Sequence, residues 1–318
     1  MTIKLGVIMD PIAAINPKKD TTLALLLGAQ RRAWDLHYME LGDLSLRDGK
    51  AFATTRQLRV ADNYNAWHEF ISAPEKRALH ELDVILMRKD PPFDTEYIFA
   101  TYLLERAQND GCLVVNDPRA LRDANEKLFT AWFADVCPPT LVARSNVEIR
   151  HFLAEFKDIV VKPLDGMGGS SVFRVQEGDP NTSVILETLT ELGARYCMAQ
   201  KYLPEIVDGD KRVLIIDGEP VPFALARIPQ KGELRGNLAA GGRGEGRPLT
   251  ARDREICARV GPELKARGLL FVGLDVIGEY LTEINVTSPT CARELEAQFR
   301  VPIADRLMDA IATRLTRR

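Results

Sequence analysis

The chain has 318 residues, 46% hydrophobic and 27% charged, which is too long for one small core and fits a globular protein of two or three lobes. Forty-two basic against 45 acidic residues leave a net charge of −3, so neither nucleic acid nor an acidic membrane surface is the expected partner. Any anionic ligand must be met by local clusters.

The five cysteines are odd in number, scattered and never in a C-x-x-C pair. That spacing argues against a disulfide framework or a zinc site and for reduced thiols in the cytoplasm. The N-terminal apolar run is only strand length and lacks a small-residue cleavage site, and no run approaches the roughly 20 apolar residues of a membrane span.

Residues 3–9 have the pattern of a buried parallel strand ending at Asp10-Pro11, and Asp20 is placed to cap a helix with Leu23, Leu26 and Leu27 on one face. Residues 35–40 supply the next strand and complete a βαβ unit. Asp48-Gly49, between two short strand-like runs, is a favoured two-residue hairpin turn. A buried strand over 83–88 is stopped by Pro91-Pro92, Asp94 caps a helix over 95–108, and 112–116 is a further strand. Together these predict an open parallel α/β domain over 1–123. Ligands of such sheets sit at the carboxyl ends of strands, where this chain carries Asp10 and Arg88-Lys89-Asp90. These charges read either as substrate contacts or as solvated strand ends.

From residue 124 the pattern becomes α+β. One helix is expected over 121–133, a strand over 140–143, and a helix capped by Ser145 and running to 156. The run Ile159-Val-Val-Lys162-Pro-Leu-Asp-Gly166-Met-Gly168-Gly169-Ser-Ser171 follows, with a second apolar run over 172–175. It reads as strand, glycine-rich turn, strand: a phosphate nest headed by Lys162, or an ordinary hairpin with a roomy loop. A helix over 179–192 and a strand over 195–203, stopped by Pro204, close this unit.

The third unit, 204–318, opens with a strand over 210–216, turned by Asp217-Gly218 into a return strand over 221–227. Pro222 marks an edge or a bulge. The segment 229–247 holds six glycines, three arginines and one lysine without apolar periodicity, and reads as a lid loop rather than a linker. A helix capped by Thr250, strands over 270–277 and 280–287, and two helices complete the chain.

Glu283 and Asn285 are two apart and share one face of their strand, and Gly278-Glu279 folds Asp275 back towards them. Two carboxylates and an amide oxygen suit Mg²⁺; the alternative is a purely structural cluster, which would have to find other partners. Lys127, Lys162, Lys211 and Arg212 are cations on separate elements, of which Lys162 sits at the edge of a core. Gln200-Lys201-Tyr202-Leu203 ends its strand with an aromatic suited to a flat heterocycle. No G-x-S-x-G elbow and no P-loop occurs, and His37, His68, His80 and His151 lie outside these clusters.

The ordered set of strand-lysine, glycine-rich flap, strand-end hinge, Asp and Glu-x-Asn resembles the ATP-grasp superfamily. Within it the strings Leu-Met-Arg-Lys-Asp-Pro-Pro-Phe-Asp (86–94), Asn-Glu-Lys-Leu-Phe-Thr-Ala-Trp (125–132), Lys-Pro-Leu-Asp-Gly-Met-Gly-Gly (162–169), Arg-Gly-Asn-Leu-Ala-Ala-Gly-Gly-Arg-Gly (235–244) and Leu-Thr-Glu-Ile-Asn-Val-Thr-Ser-Pro-Thr (281–290) are similar to bacterial glutathione synthetases. The resemblance implies the N-terminal α/β domain followed by an ATP-grasp fold of two α+β subdomains, 124–203 and 204–318, and ATP-dependent joining of glycine to γ-glutamylcysteine. It implies nucleotide contacts from Lys127, Lys162, Gly166, Gly168, Gly169, Gln200, Tyr202, Leu203, Asp210 and Lys211, and Mg²⁺ or Mn²⁺ on Asp275, Glu283 and Asn285. Arg212, Arg235 and Asn237 are the expected catalytic residues; Asp10, Arg88, Arg227, Gly241 and Gly242 are expected at the substrate. A cytoplasmic homotetramer is the implied assembly. Two competing readings are a ligase with a D-alanine or glutamate acceptor and a non-catalytic ATP-binding regulator.

Overall fold

The computed structural model describes residues 2–230, 232, 233, 236 and 241–317. The first unit comprises β1 (Lys4–Ile8), α1 (Thr21–Arg31), β2 (Asp35–Met39), β3 (Leu44–Arg47), β4 (Lys50–Val60), β5 (His68–Phe70), β6 (Glu75–Ala78), β7 (Val84–Met87), α2 (Thr95–Asn109), β8 (Leu113–Val115) and α3 (Pro118–Asp123). Its sheet runs β3-β4-β2-β1-β7-β8, with β5 and β6 also paired to β4. The β2-β1-β7-β8 part is parallel, and the β4 side is antiparallel. Asp20 and Asp94 cap α1 and α2 through bonds from Leu23 N and Tyr97 N, as their positions predict.

The second unit is a four-stranded antiparallel sheet ordered β11-β10-β12-β9. It is built from β9 (Thr140–Ala143), α4 (Asn146–Phe156), β10 (Asp158–Pro163), β11 (Phe173–Gln176), α5 (Thr182–Thr190) and β12 (Cys197–Lys201). The third is an antiparallel sheet ordered β15-β14-β13-β16-β17. It contains β13 (Asp210–Ile216), β14 (Glu219–Ile228), β15 (Arg243–Pro248), α6 (Ala251–Ala266), β16 (Phe271–Ile277), β17 (Tyr280–Asn285), α7 (Ala292–Phe299) and α8 (Ile303–Thr316).

Two expected elements are different. The single helix over 121–133 is broken: α3 ends at Asp123, and 3-10 turns follow over Leu128–Val136 with a kink at Phe133. Asn125 causes the break, because its Oδ1 accepts from Lys127 N at 3.1 Å and Leu128 N at 2.8 Å, a local bond that competes with the helix. The segment 229–247 is not all loop: Arg243–Pro248 pairs with β14 from Ile228↔Arg243 to Phe223↔Pro248. Alternating glycine and charge carries no apolar period, so a strand paired chiefly through its main chain left no pattern to detect. β15 also removes the edge from β14, and Pro222 lies where the β13–β14 register shifts.

The cores explain the arrangement. The second unit buries its own cluster around Ile159, Val161, Val175 and Cys197. The first and third share theirs: α8 packs on α1, and Leu104, Phe129, Val272 and Leu274 belong to one continuous cluster. All five cysteines are buried. No helix among the described residues is long and apolar enough to cross a membrane.

Candidate active site

The alternation of β10 places Ile159 and Val161 in the core and turns Val160 and Lys162 to the opposite, cleft-facing side. Lys162 is buried, with Nζ 3.3 Å from Glu283 Oε1 and 3.5 Å from Thr282 O across the cleft. Val160 pairs with Gln200, so Gln200 shares that face; its Nε2 donates to Thr140 Oγ1 at 3.1 Å. The Arg174 guanidinium lies 3.7 Å from the Tyr202 ring centre and is fixed by Asp158. Val160, Leu203, Ile206 and Ile277 supply apolar walls beside these groups. The result is a slot for a flat heterocycle ending at a lysine.

Asp275 and Glu283 face each other in register on β16 and β17, and Arg212 of β13 pairs with Asp275 from the other side. Arg212 grips Asp275 with two prongs, Nε to Oδ1 at 2.5 Å and Nη2 to Oδ2 at 3.0 Å. Arg227 Nη2 reaches Asp275 Oδ2 at 2.8 Å and Asp210 Oδ2 at 2.5 Å. Burial pushes the Asp275 carboxyl pKa up, but Arg212 and Arg227 outweigh it and hold it well below the usual range. Burial likewise works against Glu283, and Lys127 and Lys162 bring it below its ordinary value. Asp210 behaves oppositely. Burial, with the nearby Asp275 and Glu283 charges, lifts it to about 7 against the pull of Arg227.

The glycine turn after Lys162 covers this centre. Gly168 and Gly169 have φ of 65° and 77°, a left-handed conformation that suits residues without a Cβ. Lys127 Nζ donates to Gly166 O at 2.5 Å and lies 3.7 Å from Glu283 Oε1, so one lysine joins the flap to the acidic strand.

Two cavities meet here. One, of about 200 Å³, contains the slot, Lys162, Asp210 and Asp275. The other, of about 510 Å³, opens towards the first unit and is lined by Asp10, Asp20, Arg88 and Glu294. Gly168, Gly169, Arg212, Arg227, Glu283 and Asn285 line both, so a molecule in each would touch across that shared wall.

Most of the predicted site residues therefore converge on one cleft. Lys211 does not: it points to the other face of β13, paired with Asp253 of the α6 cap and donating to Gly278 O. A neighbour of Arg212 on a strand has to face away from it, and the sequence expectation overlooked that alternation. Asp10 is half exposed at the mouth of the larger cavity, bridged to Lys89 at 2.9 Å. Gly241 and Gly242 line neither cavity, and Arg235 and Asn237 lie outside the described residues. Among residues not singled out, Glu126 is half-buried and accepts from Val286 N, Thr287 N and Thr287 Oγ1. Its place beside Lys127 inside the string 125–132 was the available signal. Arg174 and Glu294 had none, since each looks like an ordinary surface charge in sequence.

No group of three or more His, Cys, Asp or Glu among the described residues could by itself hold a metal ion. The donor set that fits one is Asp275, Glu283 and Asn285, whose Nδ2 donates to Gly273 O and leaves the amide oxygen free for the cleft. Two carboxylates and an amide suit a hard cation that takes its remaining oxygens from phosphates and water.

Residues 3–122 match the prokaryotic glutathione synthetase N-terminal domain, and residues 126–300 match the ATP-grasp domain of the same enzymes. A glutathione synthetase of Salmonella typhimurium is 66% identical over 315 residues, covering 99% of this chain and 100% of that protein. One from Escherichia coli K12 is 64% identical over 313 residues, covering 98% and 99%. Among solved structures, the D-cycloserine synthetase DcsG superposes with a TM-score of 0.70 at 16% identity, covering 98% of this chain and 99% of that one. The ATP-grasp ligase PsnB, complexed with its minimal precursor, Mg and ADP, gives 0.63 at 18% identity with 98% of each chain covered. These distant structures share the ATP-grasp fold. The near-complete match to the curated relatives sets aside the other-acceptor and regulator readings, and the chain, an ATP-dependent peptide ligase, belongs to the prokaryotic glutathione synthetase family.

Proposed function

We propose that the enzyme joins γ-glutamylcysteine to glycine and converts ATP to ADP and phosphate. The observation that carries this reading is the pair of cavities sharing one wall of cations and acidic groups. A nucleotide in the smaller cavity and a carboxylate donor in the larger one would present their reacting ends to Arg212 and Arg227. The donor's cysteinyl carboxylate oxygen attacks the γ-phosphorus, the bond to the β-phosphate oxygen breaks, and ADP and an acyl phosphate form. The glycine amine then attacks the acyl carbon, phosphate leaves, and the amine gives up a proton.

Both partners of the first step are anions, so the protein's task is to position them and neutralise charge. Lys127 and Lys162 flank the phosphate path, and the Gly166–Gly169 flap excludes water from it. Gln200, Tyr202 and Leu203 hold the base, and Asp210 belongs to the nucleotide side. Arg212 and Arg227 serve the migrating phosphoryl group and the developing oxyanion as fixed guanidinium forks. Asp275, Glu283 and Asn285 would hold Mg²⁺ or Mn²⁺, which when bound neutralises the β- and γ-phosphate oxygens. Arg235 and Asn237 are assigned to the chemistry, and Gly241, Gly242, Arg88 and Asp10 to the substrates. The three-part division at 123 and 203, a cytoplasmic location in keeping with buried thiols, and a homotetramer complete the reading.

Release of ADP from Mg-ATP, measured with γ-glutamylcysteine with and without glycine and against D-alanine and glutamate, tests it. Glycine-dependent turnover at least tenfold above either competitor is expected. Equal use of D-alanine would displace glycine as the acceptor.

A further inference from the structure

Three consecutive residues, Asn125, Glu126 and Lys127, join the glycine flap to the acidic strand. Asn125 Nδ2 donates to Leu164 O at 3.1 Å and Lys127 Nζ to Gly166 O at 2.5 Å, so the first and third side chains hold two carbonyls at the base of the flap. Between them Glu126 turns the other way. Its main-chain oxygen accepts from Ile284 N at 2.8 Å, and its Oε1 accepts from Val286 N at 2.9 Å, Thr287 N at 3.0 Å and Thr287 Oγ1 at 2.8 Å. These bonds fix the tripeptide to β17 and the residues just beyond it, beside Glu283 and Asn285. Phe129, one turn on, lies in the core shared by the first and third units.

The flap itself belongs to the second unit, which has its own core. Its tip is closed by a local turn in which Ser170 N donates to Met167 O at 3.0 Å, and Met167 is exposed. A third tether at its base, the ion pair of Asp165 with Arg195, stays inside the second unit, because Arg195 lies just before β12. Both side chains of that pair are about half exposed, so it contributes little, and it cannot hold the flap to the other two units. Of the two bonds that can, the one from Lys127 is shared with the site, since the same Nζ lies 3.7 Å from Glu283 Oε1 and is assigned above to the phosphates. Asn125 lines neither large cavity, so a ligand in either one leaves its bond to Leu164 O in place. Its two side-chain atoms also divide the work: Oδ1 caps the local turn at Lys127 N and Leu128 N, and Nδ2 alone reaches the flap.

We propose that Asn125 is a positioning residue that keeps the flap closed over the reacting phosphoryl group by tying it to the strand that carries Glu283 and Asn285. The inference rests on the reading above, in which an acyl phosphate forms beneath the flap. Water that reaches this intermediate attacks its acyl carbon, phosphate leaves, and the donor carboxylate is restored with release of a proton. One ATP is then consumed without a peptide bond. Asn125 touches neither reactant, so its effect falls on the yield of peptide per ATP rather than on the chemistry of either step.

The test measures phosphate released and tripeptide formed with ATP, γ-glutamylcysteine and glycine, and takes their ratio. The wild-type enzyme should give about 1, with the intermediate kept from water. Asn125→Asp keeps the capping oxygen, loses the donor and sets a carboxylate against Leu164 O. Its ratio should rise to about 2 or more, because losing one hydrogen bond opens the flap several-fold more often. Asn125→Ser, whose hydroxyl still caps the turn but is too short to reach Leu164 O, should uncouple in the same way, and it decides the matter should the aspartate variant fail to fold. A purely structural role slows phosphate and tripeptide together; a ratio that stays at about 1 in these variants overturns the tether while the ligase reading stands. Arg195→Gln, which removes the exposed pair, should stay within about twofold of the wild-type ratio. A rise there equal to that of the Asn125 variants would mean that the flap is held from inside the second unit, and would overturn the proposal. A wild-type enzyme that forms no tripeptide overturns the ligase reading and the tether with it.

Discussion

Arg212, proposed for the phosphoryl chemistry, also has a structural task. In the structure its guanidinium holds Asp275 through two bonds, and together with Arg227 it keeps that buried carboxylate ionised. A cation bound by Asp275 would compete for the same oxygens, freeing an arginine fork already aimed at the wall between the two cavities. Arg212→Ala should lower kcat by roughly 10²–10³-fold, the scale of losing one preorganised donor to a transition-state oxyanion. ADP affinity should change far less, because the proposed nucleotide contacts Lys162, Gln200 and Tyr202 are untouched. A variant turning over at near-normal rate in a steady-state assay would remove Arg212 from the chemistry.

At the scale of elements, legibility followed the kind of interaction that holds each one. Strands carried by apolar side chains, such as β1, β7 and β10, and helices with a side-chain cap, such as α1, α2, α4 and α6, were visible in sequence. β15 was not, because main-chain bonds leave no residue pattern. The 3-10 stretch after α3 was not, because one Asn side chain overrides a helical apolar period. Lys162, Asp275, Glu283 and Asn285 were legible as neighbours lining one cleft because strand alternation fixes their facing, whereas the place of Glu294 in the cavity wall is set by tertiary packing. The α6 helix offers a case in which local and tertiary rules oppose each other. Gly261 lies mid-helix, where alanine is ordinarily favoured by roughly 1 kcal/mol. Here an added Cβ would fall 2.2 Å from Gly218 O in the Asp217-Gly218 turn, a backbone atom that cannot swing aside. Gly261→Ala should therefore destabilise the protein by about 1–3 kcal/mol, the cost of overpacking, rather than stabilise it. Urea unfolding measures this directly, and a raised midpoint would show that the hairpin moves freely away from α6.

For the molecule as a whole, the cleft depends on the first and third units behaving as one body. The second has its own core and carries the flap, while the other two share theirs. Asn116, just beyond β8, is the polar tie between them: Nδ2 donates to Phe271 O at 2.8 Å and Val286 O at 2.7 Å, and Oδ1 accepts from Phe271 N at 2.9 Å. Glu126 adds its bonds to Val286 and Thr287 from the same side. This fixes the strand bearing Glu283 and Asn285 against the sheet bearing Arg88, and so sets the spacing between the two cavities. Asn116→Leu would leave one N–H and two carbonyls buried without partners, a loss of about 3–5 kcal/mol when each costs on the order of 1–3 kcal/mol and part is recovered by relaxation. Because the tie spans both units, amide hydrogen exchange should quicken together in β8 and β16 of this variant and stay unchanged in β9–β12. Faster exchange in β8 alone would mean that the two sheets are merely neighbours, and that something other than Asn116 holds the cleft to its width.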